Sequence, residues 1–238
     1  MRRIGLLGGM SWESSIEYYR FVNVATRDRL GGLHSCDCIM RSVDFEAIAA
    51  LQRSGGWDEA GAVLAAEAVA LVEAGAELIV LCTNTMHKVA DAIITALDGR
   101  AEFVHIADAT ADAVRAAGLE TVGLLATAYT MEEDFYVGGL RDRHGLTVVV
   151  PDEADRAIVH SVIYDELCVG VVSDGSREEY RRIMASLADR GAQGILLACT
   201  EIELLVGPED SPVPVFDTTL IHATRAVERA LGQGSASR

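Results

Sequence analysis

Residues 74–83 read Ala-Gly-Ala-Glu-Leu-Ile-Val-Leu-Cys-Thr, and residues 190–200 read Arg-Gly-Ala-Gln-Gly-Ile-Leu-Leu-Ala-Cys-Thr. In both stretches a glycine precedes an apolar run that ends in cysteine and threonine. An apolar run without polar alternation is typical of a strand that is buried on both faces, as in a parallel sheet covered by helices. The repeated stretch therefore predicts an α/β fold with a mostly parallel sheet.

The rest of the chain alternates short β-rich runs with alanine-rich helical stretches, which strengthens this interpretation. The predicted strands are Arg3–Leu7, Cys38–Val43, Glu77–Leu81, Phe103–Ile106, Thr121–Ala126, Leu146–Val150, Gly194–Ala198 and Val213–Phe216. The predicted helices include Asp58–Ala74, Met86–Leu97, Ala109–Ala117, Arg177–Arg190 and Thr219–Leu231. Gly75, Gly118 and Gly191 each stand between a helix and a strand, where a glycine commonly ends a helix.

A second repeated motif lies in the first predicted strand of each half of the chain. Ile4-Gly5-Leu6-Leu7 returns in the same order as Val122-Gly123-Leu124-Leu125. We expect two similar Rossmann-like lobes with parallel sheets, related by pseudo-twofold symmetry, with the active site between them. The predicted segments are residues 1–118 for the first lobe, 119–215 for the second, and 216–238 for a C-terminal helix that packs back on the first lobe.

The composition and net charge of the chain argue against a disordered, nucleic-acid-binding or membrane-spanning protein. Of 238 residues 50% are hydrophobic, which is too many for a disordered chain. The net charge of −16 opposes binding to nucleic acids or anionic membranes, and no run approaches the roughly 18 apolar residues of a spanning helix. Five cysteines without a paired spacing favour a reduced, cytoplasmic setting.

Cys82 and Cys199 each follow a predicted strand directly, at the strand end where α/β proteins bind ligands. The residues after each cysteine suit the start of a helix, whose positive end favours thiolate over thiol. Inverting a stereocentre by proton exchange needs a base on one face and an acid on the other. We therefore expect the two sulfurs to face each other across a cleft and to act as that pair.

These residues also resemble a known family, the aspartate/glutamate (Asp/Glu/hydantoin) racemase superfamily, and within it the amino-acid racemases of the aspartate racemase type. The resemblance runs nearly the whole chain. It is carried by Gly-Gly-Met-Ser-Trp-Glu-Ser at residues 8–14, Cys-Thr-Asn-Thr-Met-His at 82–87, Leu-Leu-Ala-Thr at 124–127 with Thr130, Ile-Tyr-Asp-Glu-Leu-Cys at 163–168, and Ala-Cys-Thr-Glu-Ile at 198–202.

The resemblance implies a cofactor-independent amino-acid racemase, commonly a homodimer, with Cys82 and Cys199 as its two bases. It also implies a cradle for the substrate carboxylate formed by residues from both lobes: Met10, Ser11, Asn84, Thr85, Thr127 and Thr200. Some aspartate-specific relatives carry an arginine and a lysine where this chain has Glu46 and Cys168, and Arg41 or Lys88 are the candidate replacements. The preferred amino acid therefore stays open.

The sequence leaves other interpretations of the function open. A related isomerase, hydantoin racemase or decarboxylase would use the same scaffold, and a non-catalytic two-lobed small-molecule binding protein would need no low-pKa thiols. Gly5-Leu-Leu-Gly-Gly9 lacks the full dinucleotide pattern. His34, Cys36 and Cys38 crowd one strand start without a second ligand cluster, so no metal is expected. His87 could tune a thiolate or bond the adjacent cap.

Overall fold

The computed structural model describes residues 1–233; residues 234–238, the end of the predicted segment 216–238, lie outside the described residues. The chain forms two compact units. The first contains Met1–His105 together with the chain from His222 onward, and the second contains Ile106–Ile221.

Each unit is built on a parallel four-stranded sheet of the same topology. In the first unit the order is β2-β1-β3-β4, and in the second it is β6-β5-β7-β8. The strands are β1 (Ile4–Gly8), β2 (Cys38–Ser42), β3 (Leu78–Leu81), β4 (Glu102–Val104), β5 (Thr121–Leu125), β6 (Thr147–Val149), β7 (Gly194–Leu197) and β8 (Val215–Asp217).

Helices connect the strands, as parallel pairing requires. They are α1 (Trp12–Leu30), α2 (Phe45–Ser54), α3 (Trp57–Glu73), α4 (Ala90–Leu97), α5 (Ile106–Ala116), α6 (Ala128–Glu132), α7 (Asp134–Gly138), α8 (Glu153–Ser161), α9 (Asp174–Asp189) and α10 (Thr218–Ala230). Short 3-10 segments cover Thr85–Val89, Leu167–Val169, Thr200–Leu204 and Pro208–Asp210, and π-helical turns cover Gly139–Arg143 and Val162–Glu166. No helix within the described range is long and apolar enough to cross a bilayer.

The central strands explain why the sequence selects this fold. Every residue of β3 and of β7 is buried, and both strands are apolar throughout. Each pairs with the strand that opens its unit, Leu7 with Leu81 in the first and Leu125 with Leu197 in the second. The repeated motifs of the sequence therefore form the two innermost strands of each sheet. The predicted two-lobed parallel α/β fold is confirmed.

Two predicted element boundaries are wrong for identifiable reasons. Ile106, placed at the end of a strand, instead begins α5, because its side chain is buried with Val114 and Val122 in the core of the second unit. The helix predicted from Met86 begins as a 3-10 segment and becomes α-helical only at Ala90. Because α5 packs in the second core, the units divide at residue 106, whereas the sequence-based division put 1–118 in one lobe.

The chain from His222 onward completes the core of the first unit. Ala223, Ala226 and Val227 of α10 lie fully buried in the cluster that contains Ile4. His222 is also buried there: the Tyr18 hydroxyl donates to its Nδ1 over 2.8 Å, and its Nε2–H donates to the Val104 carbonyl over 2.7 Å. Burial lowers the pKa of His222 to about 4, so the ring is neutral near neutral pH.

Gly5→Ala tests the close packing of β1. A Cβ at Gly5 would lie 2.9 Å from the Ala76 Cβ and 3.3 Å from the Leu71 Cβ, neither of which can rotate away. We expect a loss of about 1–3 kcal/mol in the free energy of unfolding, as for other overpacked cores. Urea unfolding measures it.

The matched control is Gly175→Ala in the exposed first turn of α9, where the nearest atom, Ser173 Oγ, would lie 3.9 Å from the new Cβ. This variant is expected to be neutral or to gain up to about 1 kcal/mol. Equal urea midpoints for Gly5→Ala and wild type would contradict the packing argument.

Candidate active site

Cys82 is the residue that follows β3, and it is fully buried. Its amide donates to the Leu7 carbonyl over 2.9 Å, which continues the β1–β3 ladder by one residue. Its side chain is 0% exposed, and the thiol donates to the Val80 carbonyl over 3.6 Å. A Cβ added to Gly8 would be 3.9 Å from the Cys82 Cβ, so the end of β1 passes directly beside this cysteine.

The turn that joins β1 to α1 holds the predicted residues Met10 and Ser11 next to Cys82. Ser11 is the N-cap of α1 and accepts a hydrogen bond from the Ser14 amide. The Ser14 hydroxyl in turn donates to the Cys82 carbonyl over 3.4 Å. Gly9 has φ +93°, and a Cβ there would lie 2.2 Å from the Val43 carbonyl oxygen, so this turn requires glycine.

Asn84 and Thr85, also predicted for the cradle, lie buried at the start of the 3-10 segment after Cys82. His87 anchors this segment, because its Nδ1–H donates to the Thr83 carbonyl over 2.7 Å. The observed His87 contact is thus a local one, to the residue that precedes the N-cap Asn84. The ring is 4% exposed and contacts the His105 ring edge to face.

Cys199 lies at the corresponding edge of the second sheet, two residues beyond β7. It is partly buried, and its thiol donates to Glu201 Oε2 over 3.0 Å. Glu201 is itself only 4% exposed. Cys168, like Cys199, packs against the hydrophobic core of the second unit. The 3-10 segment that contains Cys168 also contacts the one that contains Glu201. The second unit therefore pairs a thiol with a buried carboxylate.

The two threonines predicted in the second unit flank this end of the sheet. Thr127 follows β5 as the N-cap of α6, and its hydroxyl lies 3.3 Å from the Thr130 hydroxyl. Thr200 follows Cys199, and the Thr219 hydroxyl donates to its hydroxyl over 3.4 Å. The eight predicted site residues thus form one group in the first unit and one in the second, each at the carboxyl end of its sheet.

The expected lowering of the thiol pKa is wrong for this structure. Burial raises the pKa of Cys82, with a smaller contribution from Cys38. Burial also raises the pKa of Cys199, and the Glu201 carboxylate raises it further. The segments that follow the cysteines are 3-10 turns of five residues rather than long α-helices, so a helix dipole does not outweigh burial.

The sequence alone did not indicate a role for Glu201, although this residue lies two positions after Cys199 in the Cys-Thr-Glu motif. The residue type was the available signal, since a carboxylate beside a thiol can accept its proton. Ser14 and Ser15 were also not assigned. Ser15 Oγ accepts from the Gly9 amide over 2.7 Å and so holds the turn that carries Met10 and Ser11.

The two cations named as candidate anchors for a substrate side chain are engaged elsewhere. Arg41 forms a bidentate pair with Glu67, with contacts of 2.5 and 2.8 Å. Lys88 Nζ lies 3.8 Å from the centre of the Trp57 ring. Glu46 is exposed and pairs with Arg53.

Two parallel α/β units of one topology, each with a cysteine at the same sheet edge, define the class of the two-lobed racemases. A solved structure of a candidate Asp/Glu racemase from Yersinia pestis is 52% identical, covers 97% of this chain and 100% of that chain, and has a TM-score of 0.90. An aspartate racemase homologue from Pyrococcus horikoshii OT3 is 33% identical with a TM-score of 0.84, over 97% and 100% of the two chains.

The aspartate racemase of Picrophilus torridus, at 21% identity and a TM-score of 0.74 over 98% and 96% of the chains, shares the fold. The family model described as Asp/Glu/Hydantoin racemase matches residues 7–226. The chain belongs to this family and is an enzyme of the racemase type.

Glu201→Gln tests the thiol–carboxylate contact without reference to any substrate. Removing the negative charge should lower the pKa of Cys199, because Glu201 raises it. Only the thiolate reacts, and a thiolate of lower pKa is a weaker nucleophile, so alkylation of Cys199 by iodoacetamide should quicken about three-fold for each unit that the pKa falls. Peptide mass spectrometry across a pH series gives the rate at this cysteine.

Glu203→Gln is the matched control, since it removes the same charge two residues later, whereas Glu201 is the residue whose carboxylate accepts the hydrogen bond from the Cys199 thiol. Its alkylation rate should equal that of the wild type. If both variants react alike, the carboxylate does not control this thiol.

Proposed function

We propose that the protein is a cofactor-independent amino-acid racemase in which Cys82 and Cys199 exchange the α-proton on opposite faces of the substrate. The observation that carries the proposal is the repeated placement of one thiol at the carboxyl end of β3 and one beyond β7. Membership of the racemase family supports it. Aspartate and glutamate are the first substrates to examine, because relatives at 52% and 33% identity carry those names.

The proton transfers balance without any other reactant. A thiolate removes the α-proton and becomes a thiol, which leaves an electron pair on Cα. The thiol on the other face then donates its proton to Cα and becomes a thiolate. The product has the opposite configuration, and the enzyme is left ready for the reverse direction, with the negative charge moved from one sulfur to the other.

In each direction the cysteine that acts as the base must first lose its proton while the other stays a thiol, and the pKa of either thiol is raised. For Cys199 the acceptor is Glu201 Oε2, 3.0 Å from the sulfur: the S–H proton moves to the carboxylate, which leaves a thiolate beside a neutral acid. This avoids placing two negative charges side by side. The α-ammonium group of a bound amino acid adds a positive charge that favours the thiolate on either side.

The electron pair on Cα is stabilised through the substrate carboxylate. We propose that the hydroxyl and amide groups of Ser11, Asn84, Thr85, Thr127 and Thr200 bind this carboxylate, with Met10 in the adjoining turn. All six residues are buried or nearly so, which strengthens their hydrogen bonds to a charged group. Donors aimed at a developing charge are worth about 3–4 kcal/mol each in comparable acyl-transfer sites.

We further propose that the enzyme is a cytoplasmic homodimer. All five cysteines are free thiols in the structure, which agrees with a reducing compartment. A net charge of −16 favours small substrates with a positive group over nucleic acids.

Cys82→Ala and Cys199→Ala test the two-base mechanism. Each removes one partner of the proton transfer, so racemisation in both directions should fall by about 10²–10⁴-fold, the usual effect of a general acid–base group. Chiral chromatography of the products, with deuterium uptake at Cα from D2O, measures both steps.

Cys36→Ala is the control, because Cys36 is a buried thiol of the first unit that takes no part in the proposed reaction. Circular dichroism of all three variants establishes that the fold is kept. Near wild-type turnover by either Cys82→Ala or Cys199→Ala would remove that residue from the mechanism.

Substrate preference is expected to be broad, or to favour neutral or basic side chains. Arg41 forms an ion pair with Glu67, and Lys88 contacts the face of the Trp57 ring. By the family resemblance, Cys168 stands where certain relatives have a lysine. A pocket without a charged anchor discriminates by only about 1–3 kcal/mol per methylene. The measurement is kcat/KM for aspartate, glutamate, serine, homoserine, methionine and lysine, in wild type and in Arg41→Gln.

A preference for aspartate above about a hundredfold would contradict this expectation, since it exceeds what apolar contacts supply. If Arg41→Gln then abolished that preference, Arg41 would be the anchor and would have to leave Glu67 when substrate binds.

A further inference from the structure

His160 lies near the end of α8, where its ring packs between two tyrosines of the second unit. The ring centroids are 6.1 Å apart for Tyr129 and His160, and 4.8 Å apart for His160 and Tyr164. The imidazole is half-buried by these contacts. Tyr129 belongs to α6, so His160 contacts the helix that Thr127 caps.

The Ala128 amide donates to His160 Nδ1 over 3.2 Å. A backbone N–H can only donate, so Nδ1 must carry a lone pair, and the neutral ring therefore holds its proton on Nε2. Ala128 is the first residue of α6, and its N–H has no acceptor within the helix. His160 is thus the acceptor that satisfies the start of this helix.

The residue immediately before Ala128 is Thr127, a proposed ligand of the substrate carboxylate. The Thr127 carbonyl accepts from the Thr130 and Met131 amides, both over 3.0 Å. The peptide that joins Thr127 to Ala128 is therefore held on one side by α6 and on the other by His160. The His160 contact thus acts on the backbone directly after Thr127.

We propose that His160 is a positioning residue that holds the Thr127–Ala128 turn in its substrate-binding geometry only while its ring is neutral, so that substrate affinity falls in acid. This inference rests on the proposed function of Thr127. His160 does not exchange protons with the substrate in this scheme.

Burial and the neighbouring carboxylates act on the pKa of His160 in opposite directions. Burial lowers the pKa of His160, and the carboxylates of Asp165 and Glu132 oppose this with smaller effects. Glu132 is itself paired with Arg156 over 2.9 Å, and the neighbouring rings belong to Tyr129 and Tyr164. The ring is consequently neutral at neutral pH. When it takes a proton in acid, Nδ1–H faces the Ala128 N–H, and two donors repel each other.

His160→Asn and His160→Phe separate acceptor from ring. The asparagine Oδ1 stands at about the position of Nδ1 and accepts from Ala128, but it does not take a proton near neutral pH. Phenylalanine keeps the ring packing and loses the acceptor. With the amino acid that wild type racemises best, we expect His160→Phe to raise KM about ten-fold with little change in kcat, the pattern of lost uniform binding.

His160→Asn should keep the wild-type KM at about pH 7.5 and lose the rise in KM that wild type shows toward about pH 5, since only imidazole titrates in this range. His144→Asn is the control: His144 contacts Asp108 in the same unit over 2.8 Å and lies outside the site. Its KM should follow the wild-type pH profile.

The inference is overturned if wild type is an active racemase and both His160 variants follow its KM at every pH. It is also overturned if His160→Asn loses affinity as much as His160→Phe. Wild type that racemises no amino acid would instead refute the proposed function. In that case ¹⁵N NMR of the His160 ring still tests the contact, because protonated Nδ1 at neutral pH would contradict it.

Discussion

The hydrogen bond from the Cys82 amide to the Leu7 carbonyl sets the position of the first thiol. Its counterpart in the second unit, from an amide to the Leu125 carbonyl, is donated by Ala198 rather than by Cys199. Cys82 is therefore the first residue beyond the paired strand, and Cys199 is the second. Successive side chains of an extended chain point to opposite sides, so one residue of offset gives the two thiols different surroundings.

This offset explains the chemical difference between the cysteines. Cys82 stays inside the core and donates to a backbone carbonyl, whereas Cys199 leaves the core far enough to meet the Glu201 carboxylate. Burial raises both pKa values, but only Cys199 has a carboxylate that both raises its pKa and can receive its proton. In the proposed reaction the Cys199 thiol can pass its proton to Glu201, whereas the Cys82 thiol is hydrogen-bonded to a backbone carbonyl.

Most of the fold could be predicted because apolar strands are local features. All eight strands, β1 to β8, lie where the sequence indicates, since a continuous apolar run suits the interior of a parallel sheet. What failed depended on particular side-chain contacts rather than on the apolar pattern. The identity of Ile106 as a helix start follows from burial beside Val122, and the 3-10 start of the segment after Cys82 follows from the His87 contact with Thr83.

The positions of the two candidate cysteines could also be predicted from local sequence. Residue types and strand ends located Cys82 and Cys199, because strand ends can be counted along the sequence. The direction of the thiol pKa could not be found this way, since it depends on how much water reaches each sulfur and on the rotamer of Glu201. Likewise, the contact of His160 with Ala128 joins residues 32 positions apart, and no local pattern announces it.

The return of the chain at His222 has a consequence for synthesis on the ribosome. The second unit is continuous in sequence, so all of its residues have left the ribosome before the last helix is complete. The first unit cannot close its core until Ala223, Ala226 and Val227 arrive beside Ile4. Until α10 emerges, the N-terminal strands therefore keep an apolar face that this helix later covers, and exposed apolar surface of this kind makes a partly folded chain prone to aggregate.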